Sequence, residues 1–291
     1  MLVLVLENIS YSSLASSTIT NEKLELWAKW IMSASTTAKE NGMEQVCYAE
    51  LTPQDFRERL ARAPIAYLPL GTLEWHGEHL PLGADGLQAG GFFEILAREV
   101  GGIVLPMLFL GPDRICVRDG KEFYGMDDNG HLAEPAYRYP DQQLAGSAYW
   151  VPNETFHAII ATTFKQLALA GFRIVVAHGH GPSGGFVSEH AAEWKMRFGL
   201  DCFHCYGSAE DSQGLGLQVD HAAMNETSLV MALRPDLVHM ERLPSDPAIW
   251  PVGIGGKDPR LFASAEVGRH AIALQKERMA GILRKALAEL S

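Results

Sequence analysis

From Tyr48 onward, apolar and polar positions fall into blocks of two kinds. The segment Thr52-Pro-Gln-Asp-Phe-Arg-Glu-Arg-Leu reads as a capped helix start, with a hydroxyl before Pro and a carboxylate three residues on. The run Ile65-Ala-Tyr-Leu-Pro-Leu, closed by Gly71, reads as a short buried strand. Helical spacing returns over residues 86–100, and a second apolar strand follows at 102–106. Residues 155–170 then read as a helix, 173–177 as a third strand and 185–198 as one further helix. Strands alternating with helices predict an α/β fold: a three-layer αβα sandwich around a mostly parallel sheet, helices on both faces.

Two stretches break this rhythm. Residues 1–45 carry a Ser/Thr-rich segment and then an amphipathic pattern over 21–38, with Leu24, Leu26, Trp27, Trp30 and Ile31. They read as an N-terminal extension with one helix, packed on the domain or used as a subunit contact. Residues 118–147 form a long polar and aromatic insertion holding Tyr124, Asp127, Asp128, His131, Tyr137, Tyr139 and Asp141. A loop of that length reads as a surface excursion, a substrate-facing lid or a subunit contact. The body, 46–291, reads as one domain.

Charge narrows the function classes. Against 35 Asp and Glu stand 24 Lys and Arg, a formal charge of −11 that repels phosphate backbones and points away from nucleic acid. No apolar stretch reaches the length of a membrane span, and the opening Met-Leu-Val-Leu-Val-Leu has no cationic segment before it. Four cysteines, Cys47, Cys116, Cys202 and Cys205, are too sparse for a disulfide framework and fit a reducing cytoplasm. Cys202 and Cys205 flank His204 and read as buried or tolerated thiols, with a redox pair or an extra metal site as the alternative.

The candidate chemistry lies in three segments. In Leu70-Gly-Thr-Leu-Glu-Trp-His-Gly-Glu-His-Leu-Pro-Leu-Gly-Ala-Asp85, after a strand, Glu74 and His76 are two apart, so extended backbone points both the same way. Asp85 returns after a Gly/Pro turn. His178 and His180 repeat the two-residue spacing just past the third strand, among glycines that let the backbone approach a small group. His221 and Glu226 open the third segment, ahead of the apolar residues 229–233. Loops at the carboxyl ends of parallel strands gather ligand sites, and a mixed carboxylate and imidazole set suits Zn²⁺ or Mn²⁺, with Fe²⁺ also compatible.

These segments resemble the creatininase (creatinine amidohydrolase) family. The most specific portion is Gly-x-x-Glu-x-His-Gly-x-His-Leu-Pro-Leu-x-x-Asp, matched by Gly71 to Asp85. His-Ala-x-x-x-Glu-Thr-Ser is matched by His221 to Ser228, and a looser Asp-Pro and Ala-Ser-Ala-Glu-x-Gly element by Gly256 to Gly268. The resemblance runs over about 61–283, with the insertion outside it.

What the resemblance implies is a two-metal hydrolase, assembled as a homo-oligomer, often a hexamer in this family, acting on a small polar cyclic substrate. Glu74 and His180 would hold one ion, His76 and Glu226 the other, and Asp85 would bridge them. Two ions about 3.5 to 4 Å apart make a nucleophilic hydroxide of a shared water and polarise a carbonyl. His221 would carry the proton to the leaving group, or else hydrogen-bond a ligand from behind. His178, where many members carry Asn, together with Tyr124 and His131, would face substrate; His79 would be structural.

Two departures shape the substrate reading. The enzyme that opens creatinine takes a metal-ligating Glu two residues beyond the central His, where this chain has Pro182, so Glu226 must serve. The tryptophans that close over creatinine have no clear counterparts, Trp150 and Trp194 being the nearest candidates. Family branches act on cyclic amides, formamides, a peptide terminus and inositol-derived cyclic ketones. The expected reaction is therefore amide-type opening of a small polar ring, with C–C hydrolysis of an inosose-type ketone and a non-catalytic binding protein as the alternatives.

Overall fold

A computed structural model describes residues 44–126, 149–207 and 215–290. The helix expected within 21–38, most of the 118–147 segment and His131 lie outside the described residues. The chain divides after Glu44, and the fold is that of the unit Gln45–Ser291.

Its centre is a parallel sheet of β1 (Ile65–Leu70), β2 (Ile103–Val104), β5 (Ile174–Gly179) and β6 (Asp201–Phe203), in the order β2-β1-β5-β6. A separate antiparallel hairpin is made by β3 (Ile115–Arg118) and β4 (Lys121–Tyr124). Every residue of β1 and β5 is buried, as befits strands covered on both faces. Alternate side chains enter different cores. Ile65, Tyr67, Ile174 and Val176 join one cluster; Ala66, Leu68, Leu70, Val175 and Ala177 join another.

The first cluster is completed by α2 (Ala84–Val100), α6 (Met224–Leu233) and α8 (Ala265–Glu289), through Phe92, Phe93, Leu96, Leu229, Met279 and Leu283. The second is completed by α3 (Asn153–Ala170), α4 (Gly181–Glu189) and α5 (Ala191–Phe198), through Phe156, Ile160, Phe164, Val187 and Trp194. The helix α1 (Pro53–Arg62) leans Phe56 and Leu60 on this second core, and the one-turn α7 (Pro259–Phe262) precedes α8. This is the three-layer αβα sandwich expected from the alternation.

The start of α1 is the capping box read from its sequence: Thr52 Oγ1 accepts from the Asp55 N–H at 3.2 Å, and the Asp55 carboxylate accepts from the Thr52 N–H at 3.3 Å. Two expectations are corrected. The single helix over 185–198 is two helices, because His190 leaves helical geometry at φ −96°, ψ 10°. Helix α2 begins at Ala84, so Asp85 belongs to its first turn rather than to the preceding loop. Cys202, on the edge strand β6, and Cys205 just past it are free thiols, pushed up to about 12 by burial, in keeping with the reading as buried thiols. Among the described residues no helix is long and apolar enough to cross a membrane.

Candidate metal centre

Strands β1 and β5 are parallel neighbours in register, Leu70 opposite Gly179, so the loops beyond them leave the sheet side by side. The first carries Glu74 and His76; the second places His180 at the threshold of α4. Gly179 makes the approach feasible. It sits at φ +143°, and a Cβ there would lie 1.8 Å from the Leu70 carbonyl oxygen. Asp85 and Glu226 each occupy the first turn of a helix, α2 and α6, where the positive end of the helix dipole favours a carboxylate.

The result is two buried trios that share one residue. Glu74, Asp85 and His180 form the first; His76, Asp85 and Glu226 form the second. Asp85 divides its oxygens between them: Oδ2 is 3.1 Å from His180 Nδ1, and Oδ1 is 3.4 Å from His76 Nε2. Glu74 Oε1 stands 3.1 Å from His180 Nδ1, and Glu226 Oε2 stands 3.6 Å from His76 Nε2. His76 Nδ1 donates to the Glu74 carbonyl at 3.2 Å, which leaves Nε2, buried and without a hydrogen-bond partner among the described residues, facing three carboxylates.

Supporting contacts fix the carboxylates. Gln218 Nε2 donates to Asp85 Oδ1 at 2.9 Å, and the Ala222 N–H donates to Glu226 Oε2 at 2.7 Å. Gln218 and Ala222 both adopt left-handed backbone, φ +53° and +52°, strain of the kind the surrounding structure must hold in place. Asp220 accepts from the Asn225 and Glu226 N–H groups, satisfying the start of α6. His79 pairs with the Thr227 hydroxyl at 2.8 Å and, buried, is pushed down to about 4, so it stays neutral and structural.

The electrostatics are those of a site loaded with protons when no cation is bound. Burial opposes charge on His76, yet Asp85, then Glu226 and Glu74, push it up to about 10. Burial likewise opposes charge on His180, but Glu74, with Asp113 and Asp85, lifts it well above its ordinary range. Against the upward pull of burial, His76 and His180 hold Asp85 well below its usual range. Glu226 is raised by burial, with Asp85 and Asp220 adding to it. His221 is lowered by burial and by His76, whose ring stacks on it at 4.5 Å. Its Nε2–H donates to the Trp75 carbonyl at 2.9 Å, so Nδ1 keeps its lone pair, 4.0 Å from Glu74 Oε1.

The residues fit divalent ions. Ligand atoms 2.0 to 2.2 Å from a tetrahedral zinc stand about 3.4 Å from one another. The separations around His76 Nε2, 3.4 to 3.9 Å, are long for hydrogen bonds and close to that spacing.

A cavity of about 340 Å³ opens over both trios, large enough for a small ring. Asp113, Arg114, Met126, Tyr206 and Gln218 line it beside the acid and His residues. Two sequence expectations for substrate contact do not carry over. Tyr124 gives its hydroxyl to Glu122 and lays its ring on Trp150, away from the cavity wall, because the β4 pleat turns it there; Gly125 and Met126 line the wall instead. His178 is fully buried against Tyr206, ring centroids 4.3 Å apart; Gly179 at φ +143° breaks the strand's alternation after it, and His180, already at the start of α4, faces the site. Asp113 was missed: its Oδ2 is 3.5 Å from His180 Nε2, and the Gly-Pro turn after an apolar run was the available signal. Gln218 had no sequence signal.

Comparison with known proteins gives a consistent answer. The family model for creatininase, described as creatinine amidohydrolase, matches residues 49–125 and 132–282. The match thus runs through most of 118–147 and breaks at 126–131, where an interruption over the whole segment was expected. The creatinine amidohydrolase of Pseudomonas putida is 25% identical over 229 residues, 70% of this chain and 78% of its own length. A crystal structure of creatinine amidohydrolase superposes with a TM-score of 0.63 at 22% identity, covering 84% of this chain and 99% of that one. A manganese creatininase and a zinc–zinc form of a creatininase mutant superpose at TM-scores of 0.62 and 0.63, with 22% and 21% identity and the same coverage. These likenesses establish the fold, and the extent of the family match settles kinship: the chain belongs to the creatininase (creatinine amidohydrolase) family.

Proposed function

We propose that this chain is a metal-dependent hydrolase that opens a small polar cyclic amide at a centre of two divalent ions, zinc or manganese. One observation carries the reading: the two oxygens of Asp85 serve different trios, 3.1 Å from His180 and 3.4 Å from His76, the arrangement a bridging carboxylate needs. Glu74, Asp85 and His180 would hold one ion, and His76, Asp85 and Glu226 the other. Such a pair supplies an activated water and a Lewis acid for a carbonyl.

The chain's own residues do the rest. Gln218 holds Asp85 against rotation, and the Ala222 N–H holds Glu226. His221, neutral and anchored through Nε2, presents Nδ1 to the cavity, where it takes a proton from the attacking water and passes it to the leaving nitrogen. Assembly of several copies is part of the proposal; Leu261 and Phe262, adjacent and exposed on α7, support it, and light scattering tests it.

The test of function is metal content per chain on protein purified without chelator, then hydrolysis of creatinine, a formamide and an inosose-type ketone by the same sample. Two ions with turnover of a cyclic amide is the expected result. No ions, and no turnover after Zn²⁺ or Mn²⁺ is restored, would leave a binding protein on the same fold.

A further inference from the structure

A second set of donors stands at the break between α4 and α5, on the face of the sheet covered by α3. His157 comes from α3, His190 from the break itself, and Glu193 from the first turn of α5. His157 Nε2 lies 3.0 and 3.2 Å from the two Glu193 carboxylate oxygens. One donor atom from each of the three residues lies within 4.8 Å of the others.

The rings are already oriented. His190 Nδ1 donates to the Phe186 carbonyl at 2.9 Å, which fixes the tautomer and leaves Nε2 with its lone pair. Its ring stacks on Phe186 at 4.2 Å, and the His157 ring packs at 5.1 Å on Trp194. Packing that fixes side chains beforehand lowers the ordering cost of gathering them on a ligand. The His157 and Glu193 side chains keep 33% and 27% of their surface, so an ion can reach them from solvent. One competitor is present: Arg197 also donates to Glu193 Oε1. Its guanidinium lies 4.9 Å from the Phe198 ring centroid, a resting place it keeps if the carboxylate turns away.

We propose that His157, His190 and Glu193 bind one zinc ion, outside the pocket, and so tie α3 to α5 across the helix break. Two imidazoles and a carboxylate are a zinc donor set that leaves one position for water. Ligand atoms around tetrahedral zinc stand about 3.4 Å apart, so the His157–Glu193 pair opens by a few tenths of an ångström and the widest separation closes by at most about 1.4 Å.

Equilibrium dialysis against Zn²⁺ with metal analysis tests this on the full chain. Wild type should hold one ion more than Glu193→Gln and one more than His157→Gln, both with wild-type circular dichroism. Arg197→Gln, which removes the competing cation and no ligand, should tighten that ion several-fold. Zinc counts equal in wild type and both variants, or an Arg197→Gln chain that binds no more tightly, would overturn the proposal. The outcome is separable from that of the pocket, whose ions depend on Asp85 and not on Glu193.

Discussion

Replacing Gly179 with alanine tests whether the site depends on the close approach of β1 and β5. The added Cβ would meet the Leu70 carbonyl oxygen at 1.8 Å, its carbon at 2.7 Å and its nitrogen at 3.0 Å, all backbone atoms with no rotamer to yield. An ordinary C···O approach is about 3.3 Å, so the two strand ends must part by roughly 1.5 Å. The φ of +143° adds strain for any residue with a side chain. Backbone strain of about 1–3 kcal/mol and overpacking of about 1–3 kcal/mol together predict a loss of roughly 2–6 kcal/mol. That is a large share of the 5–15 kcal/mol typical of a folded chain. The shift also moves the donors: His180 N–H donates to that same Leu70 oxygen at 3.2 Å, and Glu74 hangs four residues beyond it. Misplacement by about 1 Å costs on the order of a hundredfold in rate. Urea unfolding and metal analysis after dialysis read both effects. Gly181→Ala is the control, because nothing lies within 4 Å of a Cβ there. A Gly179→Ala chain with the wild-type urea midpoint and metal content, or a Gly181→Ala chain equally damaged, would refute the reasoning.

Asp85→Asn keeps shape and removes the charge shared by both trios, so metal analysis should find both pocket ions lost; retention of two would end the bridging assignment. His221→Asn should keep the metal and lower turnover by about a hundredfold to ten-thousandfold, the usual weight of a positioned proton-transfer group; metal loss at unchanged rate per ion would reverse its role. Because His76 is pushed up to about 10 in the ion-free protein, its charge stabilises that state fully below its ordinary value and the benefit fades as pH rises through about 10. Ions must displace that proton, so zinc uptake at pH 7 should release protons and tighten with pH; calorimetric heats independent of buffer ionisation would contradict this.

The sequence by itself determined the sandwich and picked out most of the candidate donors. Runs such as Ile65–Leu70 are apolar at every position, and only a strand covered on both faces buries all of them. The same reading found Glu74, His76, Asp85, His180 and Glu226, because each stands just past a strand or at a helix start, where this fold exposes backbone ends. Tertiary structure decided what depends on direction rather than on order along the chain. The turn of the backbone at Gly179 parted His178, packed on Tyr206, from His180, and β4 turned Tyr124 onto Trp150, although both residue types suited the pocket. Asp113 and Gln218 reach the centre from segments 28 and 133 residues beyond Asp85, through loop geometry that no local pattern encodes. The second cluster needed both kinds of information: His190 and Glu193 are three apart, but His157 comes from a different helix, and only packing on Trp194 brings the three together.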